Sequence, residues 1–118
     1  MDRDEVAALD FCYVTTKGRR SGSPHTIEIW FALRGDTVYL LSGGGDGSDW
    51  VRNLREHPTV GLRIGDLDVI CKGRVVEDPQ EAEVARRAVL EKYSSRSSDE
   101  LEGWSRVAMP IAIDLPPA

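Results

Sequence analysis

Two short links, Gly35-Asp36 and Gly65-Asp66, restrict this chain more than any other feature. Each joins runs rich in β-branched and apolar residues, the first leading into residues 37–42 and the second separating residues 59–64 from 67–76. Links of this length and chemistry close antiparallel hairpins, whereas a parallel crossover needs about a dozen residues or more. Residues 11–17, aromatic and β-branched up to Gly18, read as a first strand. Residues 25–31 alternate, which places Ile27, Ile29 and Phe31 on one face and Thr26, Glu28 and Trp30 on the other. A last apolar strand is expected over 106–114. Two helices interrupt the strands. One starts at Ser48 or Asp49 and runs to about His57, where Pro58 follows. The other is announced by Asp78-Pro79-Gln80-Glu81, an N-cap, a first-turn proline and a carboxylate, with Val84, Ala85, Ala88 and Val89 as its apolar stripe. Residues 94–99 form a Ser-rich break before a short turn or helix over 101–104. The order predicts a mainly β fold with flanking helices, an antiparallel sheet closed into a small barrel.

At 118 residues the chain is expected to be one domain, 1–118. A chain of that size buries about two-thirds of its unfolded surface and needs no disulfide. Cys12 and Cys71 lie in apolar stretches and read as buried, reduced thiols. The net charge of -5, from 15 Lys plus Arg against 20 Asp plus Glu, disfavours nucleic acid as a partner. A charged N-terminus and the lack of a long apolar run predict a cytoplasmic protein without an integral membrane segment.

Against that acidic background, Lys17-Gly-Arg-Arg-Ser-Gly-Ser-Pro-His25 gathers three cations and a histidine in one turn, with no acid between Phe11 and Ile27. Such a turn is either a solvated hairpin or a mouth for phosphate or carboxylate, gripped by Arg forks and turn amides. The loop Ser42-Gly-Gly-Gly-Asp-Gly-Ser48 leads from strand to helix, where backbone can approach a ligand closely. It lacks the lysine and spacing of a P-loop and suits a neutral heterocycle edge better than a phosphate; as a plain connector it would bind nothing. Trp30 and Trp50 are candidate platforms for a flat ring. Their alternative is core or dimer packing, which keeps a homodimer open. No Cys, His or carboxylate cluster has metal-ligand spacing, and no Gly-x-Ser-x-Gly elbow supports hydrolase chemistry.

Residues 14–25, the following Trp30-Phe31, and the stretch from Ser42 through Trp50-Val-Arg-Asn-Leu-Arg-Glu-His-Pro58 resemble the deazaflavin-dependent nitroreductase family. The resemblance implies the split β-barrel of the pyridoxamine-phosphate-oxidase-like, FMN-binding superfamily and the 8-hydroxy-5-deazaflavin coenzyme F-420. It further implies that Lys17, Arg19, Arg20 and Ser21, with His25 nearby, hold the cofactor's phosphate and acidic tail. Ile27, Glu28, Ile29 and Trp30 would line its ring, Ser42, Gly43, Gly44 and Gly45 its pyrimidine edge, and Trp50 and Asn53 would fix the helix beside it. Gly43 stands where some relatives carry a tail-binding lysine, and the C-terminal region has Tyr93 and Trp104 in place of a tyrosine cluster. The implied reaction is hydride transfer to a small organic acceptor, a quinone, nitroaromatic or activated alkene. Trp30 would flank it, and solvent, Tyr93 or Glu28 would supply the proton. The alternatives are a non-catalytic deazaflavin-binding protein and an FMN enzyme on the same fold.

Overall fold

In the computed structural model, which describes residues 2–94 and 100–116, seven strands form one antiparallel sheet in the order β2-β1-β5-β6-β7-β4-β3. They are β1 (Cys12–Lys17), β2 (Pro24–Ile29), β3 (Ala32–Arg34), β4 (Thr37–Ser42), β5 (Thr59–Ile64), β6 (Leu67–Val75) and β7 (Met109–Asp114). The two short Gly-Asp links close β3 to β4 and β5 to β6, and Gly35 and Gly65 take the positive φ that the turns require, 61° and 58°.

The expected strand over 25–31 is instead two strands. β2 ends at Ile29 and β3 begins at Ala32, and they occupy opposite edges of the sheet. Trp30 and Phe31 carry the chain across the gap, which splits the barrel. A gap of this kind strands backbone groups that a ladder would have paired. Tyr93 supplies the partners: its hydroxyl accepts from Phe31 N–H at 3.2 Å and shares its proton between Phe31 O at 3.0 Å and Asp10 O at 2.7 Å.

Helix α2 (Asp49–Glu56) closes one end of the barrel by burying Val51, Asn53 and Leu54. It sits so near β6 that a Cβ on Gly73 would lie 2.6 Å from Leu54 Cδ1. Helix α3 (Pro79–Tyr93) starts as expected, with the Asp78 carboxylate accepting from Gln80 and Glu81 N–H. Its buried face is Ala82, Ala85, Ala88, Val89 and Tyr93; Val84, expected in the stripe, is 46% exposed. Helix α4 (Glu100–Val107) is longer than the expected 101–104 and takes Arg106 and Val107 from the last strand, which begins at Met109. A short α1 (Arg3–Ala7), capped by Asp2, was not foreseen. Of the Ser-rich break, residues 95–99 lie outside the described residues. Cys12 is buried, which pushes its thiol up to about 12, and Cys71 is half-buried; both are free thiols.

Candidate functional site

The register of β1 on β2 sets the site. His25, Ile27 and Ile29 oppose Thr16, Val14 and Cys12, all fully buried, and therefore share the inner face of the sheet. Thr26 and Glu28 oppose Thr15 and Tyr13 on the outer face, where the two threonine hydroxyls lie 2.7 Å apart and Tyr13 donates to Glu28 at 2.7 Å. Arg63 lies over the Tyr13 ring, 4.2 Å from its centroid.

At the N-terminal end of β2 is a cavity of about 680 Å³ lined by the turn residues Gly18, Arg19, Arg20 and Ser21, by β2 from Pro24 to Ile27, and by Asp49, Trp50 and Asn53 of α2. The turn is held by its own backbone, with Gly18 N–H donating to Ser23 O at 2.8 Å and Gly22 N–H to Gly18 O at 2.9 Å. Gly18 brings the backbone close to both side chains of the turn, since a Cβ there would lie 2.8 Å from Ser21 Oγ and 3.0 Å from His25 Nε2. Asn53, buried, ties the turn to α2: its Oδ1 accepts from Arg19 N–H at 3.1 Å and Arg19 Nη1 at 2.9 Å, while its Nδ2 donates to Thr16 Oγ1 at 3.3 Å. Arg19 also meets Asp49 at 3.3 Å. Two arginines and a histidine thus face one carboxylate, which is already paired. The donor set fits a phosphate or a run of carboxylates.

The other half of β2 borders a second cavity of about 570 Å³, lined by Phe11, Glu28, Ile29, Trp30, Leu41, Leu101 and Trp104. It is apolar and aromatic. Trp30 is fixed by Tyr93, whose ring stacks on it at 4.2 Å between centroids and 3° between planes. Trp104 stands against the glycine loop, so close that a Cβ on Gly43 would lie 2.8 Å from its indole Nε1.

Most of the expected residues converge on these two cavities. Arg19, Arg20, Ser21, His25, Ile27, Trp50 and Asn53 line the first, and Glu28, Ile29 and Trp30 the second. Five expectations need correction. Tyr93 is fully buried with its hydroxyl committed to backbone, so it supports Trp30 and the barrel gap and donates no proton to a ligand. Lys17 lies on the outer face and borders a different hollow with Gly22, Thr59, Gly61 and Ile70. Ser42 is buried with its hydroxyl 3.0 Å from that of Ser48. Gly43, Gly44 and Gly45 line neither cavity; Gly43 gives room to Trp104. Glu28 is exposed, without the burial that its expected role as an acid called for. The aromatic wall formed by Phe11 and Trp104 was missed. A glycine loop and a tryptophan remote in sequence gave no local sign that they touch.

Among solved structures the chain is similar to the conserved hypothetical protein Rv2991 of Mycobacterium tuberculosis, with 22% identity and a TM-score of 0.73 over 98% of this chain and 81% of that one. It is similar to an F-420-H2-dependent reductase, FDR-A, with 22% identity and a TM-score of 0.70 over 90% of this chain and 96% of that one. The heme storage protein HutZ of Vibrio cholerae shares the fold at 14% identity and a TM-score of 0.70, over 98% of this chain and 88% of that one. Another neighbour, at 21% identity and a TM-score of 0.72 over 96% of this chain and 87% of that one, is a domain-swapped dimer. No curated protein matches in sequence. The fold is the split barrel. A family model, F-420H(2)-dependent quinone reductase, matches residues 4–116, and with it the chain belongs to that family of oxidoreductases, whose cofactor is the deazaflavin F-420.

Proposed function

We propose that this protein reduces a flat, electron-poor acceptor of the quinone class, with the cofactor laid along β2. One observation carries the reading: successive residues of a single strand line a cationic polar cavity and then an apolar aromatic one. Arg20, Ser21, His25 and the turn amides hold the phosphate and carboxylates of the tail, and Arg19 and Asn53 keep the turn in place. Ile27 and Ile29 support the ring from the inner face of the strand. The reduced deazaflavin, when bound, supplies a hydride. What the protein adds is orientation and exclusion of water. Trp30, braced by Tyr93, and Trp104 wall the acceptor, and its proton comes from solvent, with Glu28 at the rim of the cavity. All of these residues belong to one chain. A homodimer is the macromolecular assembly kept open, supported by the domain-swapped neighbour. The free thiols of Cys12 and Cys71 support a reducing, cytoplasmic setting, and no helix among the described residues is long and apolar enough to cross a membrane.

The test follows oxidation of the reduced deazaflavin by menadione, recorded as return of the oxidised chromophore's absorbance. Wild-type protein should turn over, and Trp30→Ala should lose most of its rate while keeping cofactor affinity. Cofactor binding without turnover on any quinone, nitroaromatic or activated alkene would establish a binding protein instead.

A further inference from the structure

The apolar cavity at the end of β2 is walled by the rings of Phe11, Trp30 and Trp104, and among the described residues that line it Glu28 alone is charged. The β1–β2 register explains how a carboxylate comes to stand there. Glu28 opposes Tyr13 on the outer face, and Phe11 and Trp30 lie two residues along their chains from that pair, on the same side. Tyr13 then fixes the group, its hydroxyl donating to Glu28 Oε2 at 2.7 Å. That hydrogen bond, with the carboxylate's charge, pushes the Tyr13 hydroxyl up from its ordinary value of 10.0, so the proton stays on tyrosine and the charge on Glu28. Arg63 lies over the Tyr13 ring, 4.2 Å from its centroid, and forms no ion pair with Glu28. One carboxylate oxygen is thus spent on a neutral donor, and a whole negative charge stands at the rim of an aromatic wall. Ring faces also attract cations, so rings and carboxylate discriminate in the same direction. The two ends of β2 therefore carry opposite signs, cationic at the turn and anionic at the acceptor cavity, which sorts an anionic tail to the first and away from the second.

We propose that Glu28, held in place by the positioning residue Tyr13, sets the charge preference of the acceptor site. Acceptors that carry a positive charge are favoured, carboxylated or sulfonated ones are disfavoured, and neutral quinones stand between. This preference rests on the aromatic cavity being where the acceptor binds, as proposed above.

The experiment uses three naphthoquinones: menadione, a sulfonated one and one bearing a trimethylammonium group. Each is measured for kcat/KM with the reduced deazaflavin and for Kd, by calorimetry, with the oxidised one. Comparing the cationic-to-anionic ratio between proteins cancels the intrinsic reactivity of the quinones. In Glu28→Gln that ratio should fall about three- to tenfold, through KM and Kd, and the fall should shrink as salt rises. Tyr13→Phe keeps the charge but frees the carboxylate to swing into water, so it should lose part of the same ratio; a merely structural Tyr13 would lower all three quinones alike. Glu77→Gln, which removes an exposed carboxylate that borders neither cavity, should leave the ratio unmoved. An unmoved ratio in Glu28→Gln, a loss equal on all three quinones, or the same fall in Glu77→Gln would overturn the proposal. If the wild type binds the quinones but reduces none of them, the reductase reading fails while the Kd ratio still decides the charge preference; absence of binding overturns both.

Discussion

Arg19 and Arg20 are adjacent in sequence and look alike as turn cations, yet the structure gives them different work. The Arg19 side chain is only 18% exposed and is spent on Asn53 and Asp49, while Arg20 is exposed at the cavity wall. Arg19 therefore carries a structural load that Arg20 does not. Arg19→Ala should cost about 1–2 kcal/mol and lower Tm by several degrees. Arg20→Ala should leave Tm nearly unchanged and weaken cofactor binding by about two- to thirtyfold, with the loss shrinking as salt rises. Paired thermal melts and cofactor titrations separate the two, and equal losses of Tm would show that Arg20 too is structural. Tyr93→Phe offers a second contrast, because it leaves the Phe31 N–H and C=O without their partner inside the barrel. It should cost about 1–3 kcal/mol while leaving the pH profile of turnover unmoved; a shifted profile would restore Tyr93 as a proton donor. The cationic turn was legible because its charge stood out against an acidic chain. The split between the two arginines was not, since it depends on Asn53 arriving from α2.

At the scale of elements, strands with turn chemistry at both ends could be read directly, and so could α3, whose Asp78-Pro79 start satisfies its own first turn. The break at Trp30-Phe31 could not, because side chains keep alternating through a crossing that only the closed sheet imposes. The extent of α4 was hidden for a similar reason: Arg106 and Val107 continue an apolar strand pattern equally well. One junction holds several elements together. Arg74 of β6 meets Glu81 of α3 at 2.6 Å and Asp114 of β7 at 2.9 Å, and Tyr39 of β4 donates to Glu81 at 2.8 Å. Arg74 holds both carboxyls below their ordinary values of 4.5 and 3.8, while burial, followed by the Glu81 carboxylate, pushes Tyr39 up to about 12. Lowered carboxyls stabilise the fold fully above the unfolded carboxylate range and lose that stabilisation as pH falls through their folded values. Wild-type Tm should therefore drop as pH falls below about 4.5 and continue to drop toward pH 2. Arg74→Met should start lower at pH 7 and fall less over the same window. Parallel acid dependence in the two proteins would show that the junction contributes nothing through charge.

At the scale of the molecule, a split barrel leaves open which flat ring it holds, since a fold positions groups but does not select chemistry. The choice falls to charge. This chain is acidic overall, and that field opposes any anionic ligand until the ligand comes within a Debye length of the turn, where Arg20 dominates. A cofactor with one phosphate gains from that turn once, whereas one whose tail continues into carboxylates gains along the whole cavity wall. The deazaflavin should therefore bind and FMN should not compete at equal concentration. A ligand that binds only the folded state at a hundred times its Kd adds about 2.7 kcal/mol, which for a domain of this length raises Tm by roughly 8 to 16 °C. Melts with the deazaflavin, with a tail-shortened form of it, and with FMN should rank in that order. The ranking should compress as salt rises, because screening removes the only term that distinguishes them. An FMN shift equal to that of the deazaflavin, or a preference indifferent to salt, would mean that the ring is recognised on the β2 side alone and that the cationic turn guides no tail.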